Sequence, residues 1–388
     1  MKQALILFSM SFEPYQGRYL RAYNEARALV DGGYRVTVLA WDRSGRSRHV
    51  ETRDGIRIER IHVPAPDTSG LKSLPNFARF FVKVISHLKG RRFDIIHSHN
   101  LQLLPLALCL KKMKKAPLVF DSCEPDYYAL YPVRLQAAVT FFEKALINRA
   151  DAVFVHNRYQ VDKYRHMGQT PVSLIGSYPR LKTVGRALPH PDRNGKIVIG
   201  RIGSIYRDNG IEEILAGFRA LLKRTGHVEL LLAGRVFDAY RDTLNRLVRG
   251  MEDKVTVLGA FDSADMPRLY SRIDISVMVY RQSLWFKNIT PTKFFDSLAF
   301  GVPVIVSDMG GLKDIIGEYD CGLVVDERKP EEVADAMETL INDPDRRHRM
   351  GEQGLRAIRE KYNWDLMREK LLASYAELGV KGNFQKCS

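Results

Sequence analysis

The feature that most constrains this chain is a repeated change of hydrophobic period. Short apolar runs rich in β-branched residues alternate with segments whose apolar residues recur at helical spacing. Ala4–Phe8, Tyr34–Trp41, Ile56–Val63, Phe93–His97, Pro117–Asp121, Ala150–His156 and Val172–Ile175 read as strands. Tyr19–Val30 and Leu101–Leu110 read as helices. Such alternation predicts a parallel sheet covered by helices on both faces. Periodicity fails over residues 176–196, where Pro179, Pro189 and Pro191 stand among glycine and polar residues. It then restarts with Lys196–Ile202 as a strand and Ile211–Leu222 as a helix. Later strands are expected at Val228–Ala233, Val255–Leu258, Ile273–Val279, Pro303–Ser307 and Gly322–Val325.

A chain of 388 residues exceeds one ordinary core, which agrees with two domains. The expected fold class is α/β: two Rossmann-like domains whose parallel sheets face a central cleft. The first domain is placed at residues 1–182, a linker at 183–195 and the second domain at 196–364. Residues 365–388 are expected to form a helix packing back on the first domain. Ligands of such sheets gather beyond the carboxyl ends of the strands.

Charge and cysteine content narrow the function. The four cysteines form no CxxC pair and no Cys/His cluster, so neither a disulfide framework nor a zinc site is implied, and reduced cytosol is the expected compartment. The opening Met1–Phe8 has a short apolar run and no small-residue cleavage site, so it reads as a first strand rather than a signal peptide. The net charge is +15. Residues 1–190 hold 30 basic and 15 acidic residues, and the remainder holds 30 of each. Half of the chain is therefore set to meet something anionic. No recognised nucleic-acid-binding motif occurs, and basic and aromatic residues interleave sparsely, which disfavours nucleic acid as that partner.

Two segments carry candidate chemistry. The turn Gly203-Ser204-Ile205-Tyr206-Arg207-Asp208-Asn209-Gly210 joins a strand to a helix. Its backbone N–H groups and the helix N-terminus suit a phosphate, and Arg207 can add a bidentate contact. A plain connecting turn has the same pattern. The second segment runs from Asn288 to Pro303. Pro291 suits a helix start, and Lys293 and Asp296, three apart, share a face. A carboxylate at Asp296 can accept two ribose hydroxyls, and Lys293 can meet a phosphate. A surface Lys–Asp pair on an amphipathic helix is the simpler reading.

Pro291-x-Lys293-x-x-Asp296-x-x-Ala299-x-Gly301-x-Pro303-Val304 resembles the signature of retaining glycosyltransferases of the GT-B fold, family 4 (glycosyltransferase group 1). The resemblance extends along nearly the whole chain. Gln16-Gly17 sits at the family's first-domain glycine loop. Glu25–Leu29 with Gly33–Leu39, Asp94–His99 and Ser307–Leu312 are similar to further family segments in the same order. The resemblance implies a nucleoside diphosphate sugar donor held mainly by the second domain, transfer with retention of anomeric configuration, and no metal ion or other cofactor. It places the diphosphate against Gly203, Ser204, Arg207 and Asn209, with Gly17 approaching from the first domain. Thr290 and Lys293 belong to the donor site, and Asp296 takes the ribose. Asn288 falls in the slot of the first acid, near the sugar. His99, Cys123 and Glu124 fall on the acceptor side, with His97 beside them beyond a strand end. Ser204 and Asn209 stand where the family has its phosphate-clamping Arg and Lys, for which Arg207 or Arg201 are candidate substitutes. Asn288, Asp296 and Cys123 also depart from the family's Glu, Glu and His.

These departures keep a second function in view, a degenerate nucleotide-sugar-binding or partner subunit of the same fold. A nucleotide-sugar epimerase is a lesser rival. The acceptor is expected to be a sugar or lipid-linked hydroxyl of a cell-envelope glycan. Residues 71–92 also suggest an anionic membrane surface as partner. Leu74, Phe77, Ala78, Phe81, Ile85 and Leu88 follow helical spacing, and Arg79, Lys83 and Ser86 lie opposite with Phe80 exposed among them. No acid occurs between Asp67 and Asp94. A basic amphipathic helix of this kind is drawn to an anionic leaflet, giving a cytoplasmic protein peripheral to the inner face of the membrane.

Overall fold

The computed structural model describes residues 1–12, 20–65, 74–124, 126–185, 195–283, 286–380 and 382. The chain divides into two compact units, residues 1–176 with 367–388, and residues 177–366. Each is a parallel-sheet α/β layer structure. No helix among the described residues is long and apolar enough to cross a membrane.

The first unit contains β1 (Gln3–Phe8), α1 (Leu20–Asp31), β2 (Arg35–Asp42), β3 (Val50–Arg53), β4 (Ile56–His62) and α2 (Leu74–His87). There follow β5 (Ile95–His99), α3 (Leu104–Lys114), β6 (Leu118–Asp121), α4 (Val133–Ile147), β7 (Ala152–Val155), α5 (Arg158–Met167) and β8 (Val172–Leu174). Its sheet has the order β3-β4-β2-β1-β5-β6-β7-β8. Only β3 runs antiparallel, in a hairpin with β4. The central strands β1, β2, β5, β6 and β7 are buried along almost their whole length, as a sheet covered on both faces requires.

The second unit contains β9 (Ile197–Ile202), α6 (Ile211–Leu221), β10 (Val228–Ala233), α7 (Asp238–Val248), β11 (Val255–Leu258), α8 (Met266–Tyr270) and β12 (Ile275–Met278). It continues with α9 (Thr292–Ala299), β13 (Val304–Ser307), α10 (Leu312–Tyr319), β14 (Gly322–Val325), α11 (Pro330–Asn342) and α12 (Pro344–Glu360). All six strands are parallel, in the order β11-β10-β9-β12-β13-β14. The last helix, α13 (Trp364–Glu377), enters the first unit from Met367 onward. There Tyr375 is fully buried, and its hydroxyl lies 2.7 Å from Nδ1 of His97.

Two readings from the sequence need correction. Phe80 of α2 is not exposed. It is 1% accessible and stacks on Trp41 with ring centroids 4.7 Å apart. Phe80, Val84 and Leu88, spaced four apart, form the core row, and Ala78 faces outward instead. The wheel is rotated from the expected one because Trp41 offers its ring to both Phe77 and Phe80. The basic side of the helix is partly engaged as well: Lys83 donates to the His62 carbonyl, and Arg91 pairs with Glu59. Residues 71–73 of that segment lie outside the described residues. His97 and His99 do not lie beyond a strand end. They sit inside β5, which runs on to His99 because its partner β6 continues to Asp121 opposite.

Candidate functional site

In the second unit, the loops leaving β9, β10, β12 and β13 crowd together at the carboxyl end of the sheet. Their closeness is measured by the glycines. Gly210 has φ +85°, and a Cβ there would fall 1.5 Å from the Val279 carbonyl oxygen. At Gly310 (φ +54°) a Cβ would lie 2.1 Å from the Ile289 carbonyl oxygen. Only glycine combines positive φ with such an approach.

Within the turn after β9, the backbone is held from both sides. Gly203 N–H donates to Ala233 O, and Ile205 N–H donates to Arg235 O. Asn209 is buried and its Nδ2 donates to the Ser204 carbonyl, while its Oδ1 has no partner. Ser204 and Arg207 are exposed on the turn's outer surface. Gly210 then opens α6, whose first turn carries Glu212 and Glu213, with Arg281 paired to Glu213 at 2.8 Å.

Arg201 is the unusual residue here. It interrupts the apolar run of β9, is 1% accessible, and has no carboxylate partner among the described residues. Its Nη1 donates to Ile202 O at 2.5 Å and its Nη2 to the Tyr280 hydroxyl at 3.1 Å. The guanidinium lies over the Tyr280 ring, and Nε has no partner among the described residues. A buried cation without an anion is costly, so the site favours an anionic ligand.

The segment 288–303 forms the other wall. Pro291 caps α9, and Thr290 Oγ1 donates to Gly310 O at 2.7 Å. Lys293 and Asp296, one turn apart on α9, are both half-buried and pair at 2.9 Å. Asn288 is half-buried in the preceding loop. Tyr270 adjoins this wall, its hydroxyl next to Ser297. Burial and then the Asp296 carboxylate push the Tyr270 phenol well above its usual range. Gly17 lies outside the described residues.

The first unit carries a different kind of site. Arg21 and Glu25, four apart on the sheet-facing side of α1, meet His97 and His99 of β5 and Asp121 of β6, and all five are buried. Arg21 chelates Asp121 (Nε at 3.1 Å and Nη2 at 2.6 Å from Oδ2), lies 3.1 Å from Glu25, and donates to Ile175 O. Burial would raise the Asp121 carboxyl, but the Arg21 guanidinium holds it well below the usual range. Burial pushes Glu25 up to about 8 against the pull of Arg21. Burial lowers His99 to about 4, and burial with Arg21 does the same to His156. The result is a mostly neutral network around one Arg–Asp pair. His99 Nε2 sits 3.2 Å from Glu25 and its Nδ1 3.5 Å from the Cys123 sulfur. Glu25, His97, His99 and Asp121 can each offer a ligand atom within 4.8 Å of the others. Arg21 already supplies the cation these carboxylates need, so the group does not call for a metal.

At the rim of this network lie Cys123 and Glu124, both half-buried. Burial and the nearby Asp121 raise the Cys123 thiol well above its usual value, so it is a thiol and not a thiolate. Burial brings the Glu124 carboxyl to about 7. His99 is closed off in the core, and Cys123 stands between it and the rim. Sequence reasoning did not single out Arg21 or the buried role of Glu25. Two opposite charges four apart, flanked by the buried Ala22, Ala26 and Leu29, were the available signal.

Comparisons with known proteins agree with this architecture. A family model described as glycosyl transferases group 1 matches residues 189–357, and one described as a glycosyl transferase 4-like domain matches residues 17–175. The alpha-D-kanosaminyltransferase of Streptomyces kanamyceticus is 23% identical over 70% of this chain and 73% of its own length. Sucrose-phosphate synthase of Thermosynechococcus elongatus superposes with a TM-score of 0.79 at 19% identity, covering 97% of this chain and 99% of that one. HepE of Anabaena, solved in complex with UDP-glucose, gives 0.74 at 15% identity over 97% of this chain and 100% of that one. At such identities the structural likeness speaks for the fold, which is GT-B.

Proposed function

This chain belongs to the group 1 glycosyltransferases with a 4-like first domain, and from that premise we propose that it transfers a sugar from a nucleoside diphosphate sugar to a hydroxyl, with retention and without a metal ion. The acceptor hydroxyl belongs to a lipid-linked or cell-envelope glycan at the cytoplasmic face of a membrane. The observation that carries the reading is the crowding of four loops at the carboxyl end of the second unit's sheet, where the buried Arg201 has no carboxylate partner among the described residues.

The donor's diphosphate lies against the 203–210 turn, where backbone N–H groups, Arg207 and a turned-out Arg201 meet its charge. Asp296 accepts the ribose hydroxyls once Lys293 turns to the phosphates, and Thr290 and Asn288 line the sugar side. In the transfer, the acceptor oxygen forms a bond to the anomeric carbon on the face the phosphate leaves. The carbon–phosphate-oxygen bond breaks, and the acceptor proton passes to the departing phosphate oxygen. Charge builds on the diphosphate, and fixed cationic and backbone donors stabilise it there. Cys123 and Glu124, near neutral charge, hold the acceptor in the first unit.

The test is a thermal-shift screen against UDP, GDP, ADP and CDP with and without magnesium. A ligand at 100 times its Kd adds roughly 2.7 kcal/mol. A shift with one nucleotide, lost in Asp296→Ala, supports the site and names the base. Transfer assays with that donor then give the anomeric configuration of the product. Ser204 and Asn209 at the clamp positions support a second reading, a subunit that binds donor without turnover. A nucleotide-induced shift with neither transfer nor donor hydrolysis favours that reading. No shift with any nucleotide sinks both.

A further inference from the structure

Helix α4 is apolar on two sides. Its inward face sets Val139, Leu146 and Ile147 into the core, beside the polar Gln136, Thr140 and Glu143. Glu143 is fully buried, accepting from the Tyr164 hydroxyl at 2.6 Å and pairing with Lys163 at 3.1 Å. Its outward face carries Val133, Ala138, Phe141 and Phe142. Val133 is 81% accessible, Phe141 68% and Phe142 61%, and the two phenylalanine rings pack edge-on against each other. A helix face that meets only water is polar instead, and clustered exposed apolar side chains mark an interaction surface.

The exposed charges of α4 and of the end of α3 are basic. Arg134 and Lys144 on α4 and Lys112 and Lys115 at the end of α3 are exposed, with no carboxylate pairing with them among the described residues. Beside the C-terminal end of α4 lies a shallow depression of about 630 Å³, walled by Lys111, Lys112, Lys115 and Arg149. Its one acid, Asp151, is held by Lys111 at 2.8 Å. Lys111 also donates to Arg149 O, tying the end of α3 to the end of α4.

We propose that α4 and the end of α3 form a docking surface for an anionic lipid bilayer. Phe141 and Phe142 enter the boundary between headgroups and acyl chains. The lysine-walled depression takes lipid phosphates. Apolar side chains within a basic frame are the combination that such a leaflet binds. A second copy of the chain fits less well, because self-pairing of this face would set like charges against each other. The surface lies on α4 and not on α2, whose aromatic row is committed to the core. The inference extends the reading of a lipid-linked acceptor, on which it rests. Its test needs neither donor nor turnover, so the two fail separately.

The full-length protein is sedimented with vesicles of phosphatidylcholine alone and of equal parts phosphatidylcholine and phosphatidylglycerol. The wild type is expected to pellet with the anionic vesicles at low salt and to stay in solution with the neutral ones. The Phe141→Ser, Phe142→Ser double variant loses at least tenfold in partition. The Lys112→Gln, Lys115→Gln double variant loses about fivefold per lysine, the equivalent of about 1 kcal/mol per cation near an anionic surface. All four side chains are exposed and replaced by polar ones, and the second pair tests the surface if the first disturbs folding. Wild type remaining in the supernatant with anionic vesicles overturns the proposal, as do both variants pelleting like wild type. A wild-type dimer in light scattering that becomes monomeric in the phenylalanine variant, with no vesicle binding, assigns the face to a second copy and also overturns it.

Discussion

Replacing Arg21 by methionine isolates the buried charge network of the first unit. Methionine keeps most of the aliphatic volume and removes the guanidinium. Asp121 then loses its three bonds from the guanidinium, at 3.2, 3.1 and 2.6 Å, and remains fully buried beside Glu25. Removing one partner of a buried ion pair costs about 3–5 kcal/mol, because the remaining charge is left uncompensated. The first unit has roughly 200 residues, a size at which each kcal/mol moves Tm by about 2–4 °C, so the midpoint should fall by about 6–20 °C. Calorimetry from pH 7 to pH 3 adds a check on cause. The folded-state carboxyl of Asp121 is depressed in the wild type, so its contribution is present above the unfolded value near 4 and is lost as pH falls through the folded value. In the variant, burial without Arg21 raises that carboxyl, so the variant is most penalised at neutral pH and recovers as Asp121 protonates. The gap between the two proteins must therefore start to narrow above about pH 4, as pH falls through the variant's raised carboxyl, and keep narrowing toward the wild type's depressed one. A loss under about 1 kcal/mol at pH 7, or a gap that stays constant with pH, refutes the assignment of Arg21 as the compensating charge.

Gly210→Ala sets a Cβ 1.5 Å from a backbone oxygen at φ +85°, so it should destabilise by more than about 2 kcal/mol and abolish the nucleotide thermal shift, whereas Gly226→Ala, with open space around it, stays within about 0.5 kcal/mol. Tyr375→Phe leaves the ring packing but strands Nδ1 of buried His97, a loss of about 1–3 kcal/mol in urea unfolding. Lys293→Met breaks a partly exposed pair and should change stability by less than about 1 kcal/mol, yet weaken nucleotide binding measured by calorimetric titration. Arg201→Leu removes a buried cation with no anion. It should leave stability unchanged or raised, while the affinity for a nucleoside diphosphate falls by at least about tenfold.

The sheets were legible because their central strands are continuous apolar runs, and a run of that kind has one reading whatever its surroundings. The misreadings cluster where polar residues go inside. β5 was cut short at His97 because Ser98 and His99 look like a loop, yet both are buried opposite β6. α4 escaped notice because its apolar residues fall on both sides, with Ile147 inside and Phe141 and Phe142 outside, while Glu143 is buried. α5 carried its signal in Asn157, whose side chain accepts from Gln160 N–H at the helix start. The hairpin of β3 and β4 was announced by Asp54-Gly55, both at positive φ. In the second unit, the turn at 203–210 and the helix after Pro291 follow from local chemistry. That Val279 and Ile289 press on Gly210 and Gly310 depends on strand order, which local pattern does not encode.

The two units treat buried charge in opposite ways, and the contrast supports assigning their roles. In the first, the buried side chains of Arg21 and Lys163 are answered by carboxylates. Arg21 faces Asp121 and Glu25, and Lys163 faces Glu143. A site so balanced has no electrostatic need of an ion and is suited to a neutral hydroxyl ligand, with Cys123 and the near-neutral Glu124 at its rim. In the second, Arg201 is buried against a ring and two oxygens, and one of its N–H groups finds no partner among the described residues. Folding alone does not favour that arrangement, because the desolvation of the guanidinium is only partly offset. An anion bound at the carboxyl end of β9, as proposed above, would offset the rest, so binding there is expected to raise stability. The donor proposed above is an anion, and this contrast favours seating it in the unit where a buried cation lacks a carboxylate partner among the described residues.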